Sequence, residues 1–238
     1  MAGPRAAQRA FFDLHCHTSF SFDSLARPAD QMKAAARRGL THLAITDHDR
    51  IDGALEARDH APGGLTVIVG EEVKTADGDL ICVFLERPLP PGRPATETIA
   101  AAREQGALVG IPHPFDRHRN SLLREARLDS LAGLVDWIET WNARVIGRDG
   151  NEQAALFALK HGLPGLAASD AHSTLEVGVA YNSVSGADPS TPEGLRAALG
   201  RHEIITGRAS YFVRGITPIA KGINRVRGRV RIQPTAPR

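Results

Sequence analysis

Two histidines flank a single residue in FFDLHCHTSFSFDS, placing His15 and His17 at alternate positions with Asp23 six residues further on. Further groups of the same residue types follow: Asp47, His48 and Asp49 in LAITDHD, Glu71 and Glu72 in VIVGEE, His113 between two prolines in IPHP, and Asp170 and His172 in ASDAH. Imidazoles and carboxylates with no cysteine pair beside them form a nitrogen and oxygen donor set suited to Zn, Mn or Fe. Side chains alternate along an extended chain, so His-x-His points both imidazoles the same way and both can reach one ion. The spacing of Asp170 and His172 carries the same expectation. The donors outnumber what one ion can use, so two or three divalent metals are implied. Singly, each group has a plainer reading: a chance surface pair, an aspartate capping a turn, a rigid loop between prolines. Together, each following an apolar run, they point to a metal centre.

Short strands must position them. Apolar runs at residues 11–16, 42–46, 66–69, 80–85, 107–111, 134–139 and 165–168 read as strands. Between them lie helical stretches: ARPADQMKAAARRGL with Pro28 near its start and Gly39 as its C-cap, TETIAAAREQGAL opening on a threonine cap and closing at Gly106, and NEQAALFALKHGL from Asn151 to Gly162. Repeated strand–helix–strand order predicts mostly parallel strands in an open sheet or a barrel. Asp77-Gly78 predicts a hairpin and one antiparallel excursion. In such a fold the donor groups converge at the C-terminal edge of the strands. His42, His60, His161 and His202 have no partner at ligand spacing and read as packing or surface residues. Cys16 points away from its two histidine neighbours, and Cys82 in ICVFL reads as a small buried apolar residue.

The chain has 238 residues, 42% hydrophobic and 24% charged, enough for one sizeable core and therefore one domain. LERPLPPGRPATE reads as a surface loop rather than a boundary. No apolar run approaches the roughly 20 residues that cross a bilayer, so no membrane association is expected. Residues 1–10 lack the apolar core of a signal peptide and read as a flexible terminus. Two cysteines make no disulfide framework, so a reducing cytoplasm is expected. The net charge of +2 is unevenly spread: KGINRVRGRVRIQPTAPR, residues 221–238, holds six basic residues and no acidic one. That segment reads as a solvated basic tail or, alternatively, as an arm attracting phosphate or nucleic acid, with no interleaved aromatics for base stacking.

DLHCHTSFSFDS, LAITDHD, GEEVKTADGD, IPHP and ASDAH resemble, in order, the sequence blocks of the PHP (polymerase and histidinol phosphatase) superfamily. The resemblance runs over roughly residues 11–210 and is greatest to the stand-alone bacterial PHP metal-dependent phosphoesterases. It implies an α/β fold, a distorted (β/α)7 barrel over residues 11–220, with a metal site at the C-terminal ends of the strands. It further implies His15, His17, Glu72 and Asp170 around one metal, Glu72 bridging to a second held by His113, and Asp23, His48 and His172 around a third. Glu71 is the alternative to Glu72. The chain departs from the family pattern at Asp79, where histidine is common, and at WIETWNAR, which offers Glu139 and Asn142 but no histidine.

The function these features imply is hydrolysis of a phosphate ester by a metal-activated hydroxide, with Asp170, Asp47 or a histidine moving the proton. Arg117, His118, Asn142 and Arg144 fall at the expected mouth and are candidates for holding the substrate phosphate. A small phosphorylated metabolite or nucleotide, such as a nucleoside 3′,5′-bisphosphate, is the expected substrate. The alternatives are a 5′→3′ exonuclease on short RNA or DNA, a histidinol phosphatase, or a non-catalytic module binding metal or nucleic acid. Oligomeric state is not legible.

Overall fold

A computed structural model describes residues 9–118, 125–147 and 149–231. In chain order its elements are β1 (Arg9–Asp13), α1 (Pro28–Arg37), β2 (His42–Ile45), α2 (Asp52–Asp59), β3 (Thr66–Lys74), β4 (Asp79–Val83), α3 (Ala95–Glu104) and β5 (Leu108–Ile111). Then come α4 (Glu125–Leu131), β6 (Trp137–Asn142), α5 (Asp149–His161), β7 (Gly165–Ala168), β8 (Tyr181–Ser185), α6 (Pro192–Leu199), β9 (Glu203–Ile205), α7 (Tyr211–Arg214) and α8 (Ile216–Val226). The hydrogen-bonded strand order is β7-β6-β5-β4-β3-β2-β1-β8-β9. β1, β2 and β3 run parallel, as do β5, β6 and β7, while β4 is antiparallel to both its neighbours. The reversal follows from the turn at Asp77-Gly78, where Gly78 takes φ 144 and its carbonyl accepts the Thr75 N–H at 2.9 Å. Among the described residues no helix is long and apolar enough to cross a membrane.

The sheet curls into a nearly closed, distorted barrel. Its seam lies between β7 and β8, where a side chain takes the place of a ladder. Asn182 accepts the Ala167 N–H at 2.9 Å and donates to the Ala167 carbonyl at 2.8 Å and the Phe12 carbonyl at 3.3 Å. Nearer the C-terminal rim, the chain beyond β1 pairs with the chain beyond β7: Cys16 bridges Ala171, and the His17 N–H donates to the Ala171 carbonyl at 2.8 Å.

Period-two alternation sorts the core into two layers. Phe12, Ala44, Ile68, Ile81, Leu108, Trp137 and Leu166 pack inside the barrel, with Leu195 and Leu199 of α6 packed against them. Leu43, Ile45, Val69, Val73, Cys82, Val109 and Ile138 face outward against the helices. Both cysteines are free and buried. Glycine at position 110 is a packing requirement, because a methyl there would fall inside the Trp137 indole.

Several elements differ from expectation, each for a local reason. β8 and β9 were not anticipated, and β8 lengthens β1 to Arg9 by pairing it with Ser185, so residues 9 and 10 belong to a strand. Residues 1–8 and 232–238, parts of the two expected terminal segments, lie outside the described residues. α3 starts at Ala95 after Pro94, with no side-chain cap, because the proline already sets the first φ at −52. α5 starts before Asn151, whose buried amide oxygen instead accepts the Asn142 N–H at 3.1 Å. The segment expected as a solvated tail from residue 221 continues as α8 to Val226, with Asn224 0% exposed.

Gly110→Ala is expected to lower stability by about 1–3 kcal/mol through overpacking. Thermal unfolding would show this as a lower Tm than that of the wild type.

Candidate metal centre

β1 ends at Asp13, and the chain continues extended through His15 and His17 while Cys16 turns into the outer hydrophobic layer. Both imidazoles therefore enter the barrel mouth, where their Nε2 atoms lie 3.0 Å apart. Ile68, Gly70 and Glu72 share the inner face of β3 by alternation, which brings Glu72 Oε2 to 3.1 Å from His15 Nε2 and 3.2 Å from His17 Nε2. Asp170 Oδ1 lies 3.4 Å from His17 Nε2 and 3.6 Å from His15 Nε2. Around this nucleus the donors form overlapping groups: His15, His17 and Asp170; His15, Glu72 and His113; and His17, Asp23, His48 and His172. Within each group the ligand atoms lie within 4.8 Å of one another, and every member is buried.

Asp170 and His172 fall in different donor groups, though Asp170 Oδ1 stays 3.5 Å from His172 Nδ1. Asp170 takes φ 51, a left-handed conformation that interrupts the strand alternation between them. His113 is also left-handed, at φ 30, as is Asp49 at φ 57. Non-glycine residues in this region cost about 1–3 kcal/mol and cluster at functional sites.

The donors fit a divalent cation. His48 and His172 are pushed down by burial to about 3 and about 4, so both present neutral imidazoles, the form that binds metal. Burial also acts on His17, but the hydrogen bonds it donates to Asp170 and Glu72 outweigh it and hold the ring up at about 9. On His15 the charges of Glu139, Asp170 and Glu72 likewise overcome burial. Converging buried carboxylates thus demand positive charge at their centre, which a divalent ion supplies. Asp23 Oδ1, Glu72 Oε1 and His48 Nδ1 are buried without hydrogen-bond partners among the described residues. Nitrogen and oxygen donors without thiolate suit Zn, Mn or Fe.

A supporting ring fixes these ligands. Glu139 Oε1 meets His15 Nδ1 at 2.6 Å, and its other oxygen accepts the His113 N–H at 3.0 Å. Asn142 Nδ2 donates to Glu139 Oε2 at 3.0 Å and Asp170 Oδ2 at 3.1 Å. Ser21 Oγ lies 3.1 Å from His17 Nδ1 and donates to Asp47 at 2.8 Å. Glu176 accepts the His172 N–H at 3.0 Å. In the sequence Glu139 stands out only, with Asn142, in a stretch that lacks a histidine. Its signal was alternation from Trp137, the inward residue two positions earlier on β6.

Other expected site residues stand elsewhere. Asp47 is not a free base: its carboxylate accepts the Thr18 N–H and hydroxyl, both at 2.6 Å, as well as Ser21. It anchors the loop after β1 and joins none of the metal groups. Arg144 is not an open phosphate clamp, because its guanidinium pairs with Glu176 and donates to Thr217 Oγ1 at 2.7 Å. Asn142 orients ligands, as described above. Arg117 and His118 are exposed on the turn after His113, and His118 joins none of the groups. Glu71 faces the helices, where it accepts the Leu89 N–H at 2.9 Å. Asp79 meets Arg231 at 2.8 Å.

The family model of the PHP domain matches residues 13–159, and that of a PHP-associated segment matches residues 148–204. The chain belongs to the PHP family. It is 35% identical over 150 residues to an uncharacterized protein of Methanocaldococcus jannaschii, covering 58% of this chain and 84% of that one. It is 30% identical over 118 residues to the 5′-3′ exoribonuclease of Haemophilus influenzae, covering 44% of this chain and 43% of that protein. A two-domain Bacteroides vulgatus protein containing a predicted PHP-like metal-dependent phosphoesterase superposes with a TM-score of 0.70 at 22% identity, over 86% of this chain and 67% of that one. That likeness shows the fold. The donors of this PHP chain follow the ends of β1, β2, β5 and β7, with Glu72 two residues before the end of β3.

Glu139→Gln keeps the shape beside His15 but removes the charge, so Mn²⁺ affinity is expected to fall about 10–100-fold, as for other residues that support a ligand. Isothermal titration of metal-stripped protein measures this. Glu71 gives a separate pH signature. Burial raises its carboxyl from 4.5 to about 8, so the folded state favours the protonated form. Above the unfolded value the unfolded chain releases this proton first, and stability falls as pH rises towards about 8. The stability gained by Glu71→Gln should therefore grow across that window, as read by urea unfolding at several pH values.

Proposed function

We propose that this PHP protein is a metal-dependent phosphoesterase that hydrolyses a phosphate ester of a small metabolite or nucleotide, such as a nucleoside 3′,5′-bisphosphate. The observation that carries this reading is the sharing of His15 and His17 between donor groups, which places neighbouring cation sites side by side. Two or three divalent ions held there, of Mn, Fe or Zn, would polarise phosphoryl oxygens and bring the pKa of water towards about 7. The protein's own part is to fix geometry. Glu139 and Asn142 together hold His15 and Asp170, while Ser21 holds His17. Asp170, in the group it forms with His15 and His17, is the residue we assign to proton transfer, because Asp47 is tied to Thr18 and Ser21. The rim residues Arg117 and His118, exposed beside His113, are the proposed contacts to the rest of a phosphorylated substrate. Buried free thiols at Cys16 and Cys82 are consistent with a cytoplasmic location.

The likeness to the Haemophilus influenzae exoribonuclease supports a second reading, release of nucleotides from the 5′ end of short RNA or DNA. Phosphate release should be measured with Mn²⁺ and with chelator on a nucleoside 3′,5′-bisphosphate, histidinol phosphate and a short 5′-phosphorylated oligonucleotide, with mononucleotides tracked in parallel. Chelator-sensitive turnover of the bisphosphate is expected. Turnover of the oligonucleotide alone selects the second reading. Bound metal with no turnover of any substrate favours a binding module. His17→Ala, which removes a member of two donor groups, should cut turnover about 100-fold or more while the circular dichroism spectrum stays unchanged. Normal turnover by that variant overturns the assignment.

A further inference from the structure

The chain beyond residue 204, where the PHP-associated match ends, returns to the metal centre. Asn224 on α8 is 0% exposed, and its side-chain amide donates to the carbonyls of Ser21 at 3.3 Å, Phe22 at 3.1 Å and Ser24 at 3.1 Å. Those carbonyls bracket Asp23. Five residues on, Arg229 donates to the Ser19 carbonyl of the same loop at 2.8 Å. Arg231 then crosses to the far side of the mouth, meeting Asp79 at 2.8 Å and facing Asp49 at 3.8 Å. Phe22 lies between arm and centre, its ring 5.0 Å from the His48 ring, 5.2 Å from Lys221 Nζ and 5.9 Å from the Arg231 guanidinium.

The chemistry of this contact is specific. The three loop carbonyls all require donors, and the two N–H bonds of one primary amide serve them from one point, with one N–H shared between two carbonyls. The amide oxygen of Asn224 is buried with no partner among the described residues. The residue thus carries an unsatisfied acceptor, which its own hydrogen-bonding balance disfavours. What it secures is the conformation of the Asp23 loop. Inside the same loop, Ser24 Oγ donates to the His172 carbonyl at 2.9 Å, so the clamp acts on the segment linking Asp23 to His172.

We propose that Asn224 is a positioning residue for Asp23, and that the arm from α8 to Arg231 completes the divalent-cation subsite of His17, Asp23, His48 and His172. The proposal rests on the metal reading of the centre. Its test uses the full chain, stripped of metal and titrated with Mn²⁺ by calorimetry, with bound metal counted separately by atomic emission. Asn224→Ala should weaken one ion about 10-fold or more and leave the remaining ions at wild-type affinity. Arg225→Ala, on the exposed side of α8, should change nothing. Asp23→Asn should lose the same ion, and adding Asn224→Ala to it should have no further effect on metal binding. Asn224→Ala with all ions at wild-type affinity would overturn the proposal, even if its Tm were lower. If Asn224→Ala does not fold, Asn224→Asp replaces it, since a carboxylate facing three carbonyls reverses the clamp at nearly constant volume. A wild type that binds no Mn²⁺ refutes the metal reading itself, and the proposal falls with it.

Discussion

His15 and His17 turn their Nε2 atoms towards each other at 3.0 Å, and the carboxylates of Glu72 and Asp170 close around the pair. Much of the surrounding architecture serves this buried concentration of charge. Carboxylates removed from water repel one another strongly unless a cation or hydrogen bonds compensate them. The protein supplies hydrogen bonds from behind through Asn142 and leaves the front to positive charge. Three of the four left-handed non-glycine residues among those described, Asp170, His113 and Asp49, lie at or beside the ligands, the fourth being Phe84. Metal binding accordingly adds to the stability of the folded chain as well as to its chemistry, because an ion bound to the native state alone draws folding towards it.

The sequence made visible whatever depended on local periodicity. The resemblance favoured Glu72 over Glu71, and alternation within His15-Cys16-His17 turns both imidazoles to one side while Cys16 faces the helices. The DG turn announced the reversed strand. Features set by distant partners stayed hidden. Arg144 reads as a free cation until Thr217, 73 residues later, is seen beside it. Asn224 reads as an ordinary helical residue until its amide is found on a loop 203 residues away. The left-handed backbone of Asp170, at φ 51, is likewise not encoded by residue spacing. β8 and β9 were missed because YNSVS and EII are short and carry little hydrophobic signal of their own.

The PHP barrel also shows how an incomplete ladder can be useful. Between β7 and β8 the Asn182 amide replaces strand pairing, and the rim above that seam is closed by the contact of Cys16 with Ala171. Main-chain groups near the seam are therefore held by side chains, and the loops carrying His15, His17, Asp170 and His172 can bend to aim their ligands. A fully paired barrel would fix those residues to the alternation of its strands.

The seam and the arm set an order of events during synthesis. β1 and the His15–His17 loop leave the ribosome well before their partners Ala171, Asn182 and Asn224. Until those residues follow, the histidine pair lacks the groups that close the site around it. Such long-range closure is slow compared with local helix and hairpin formation. A site assembled this way is complete only when segments far apart in the chain have met.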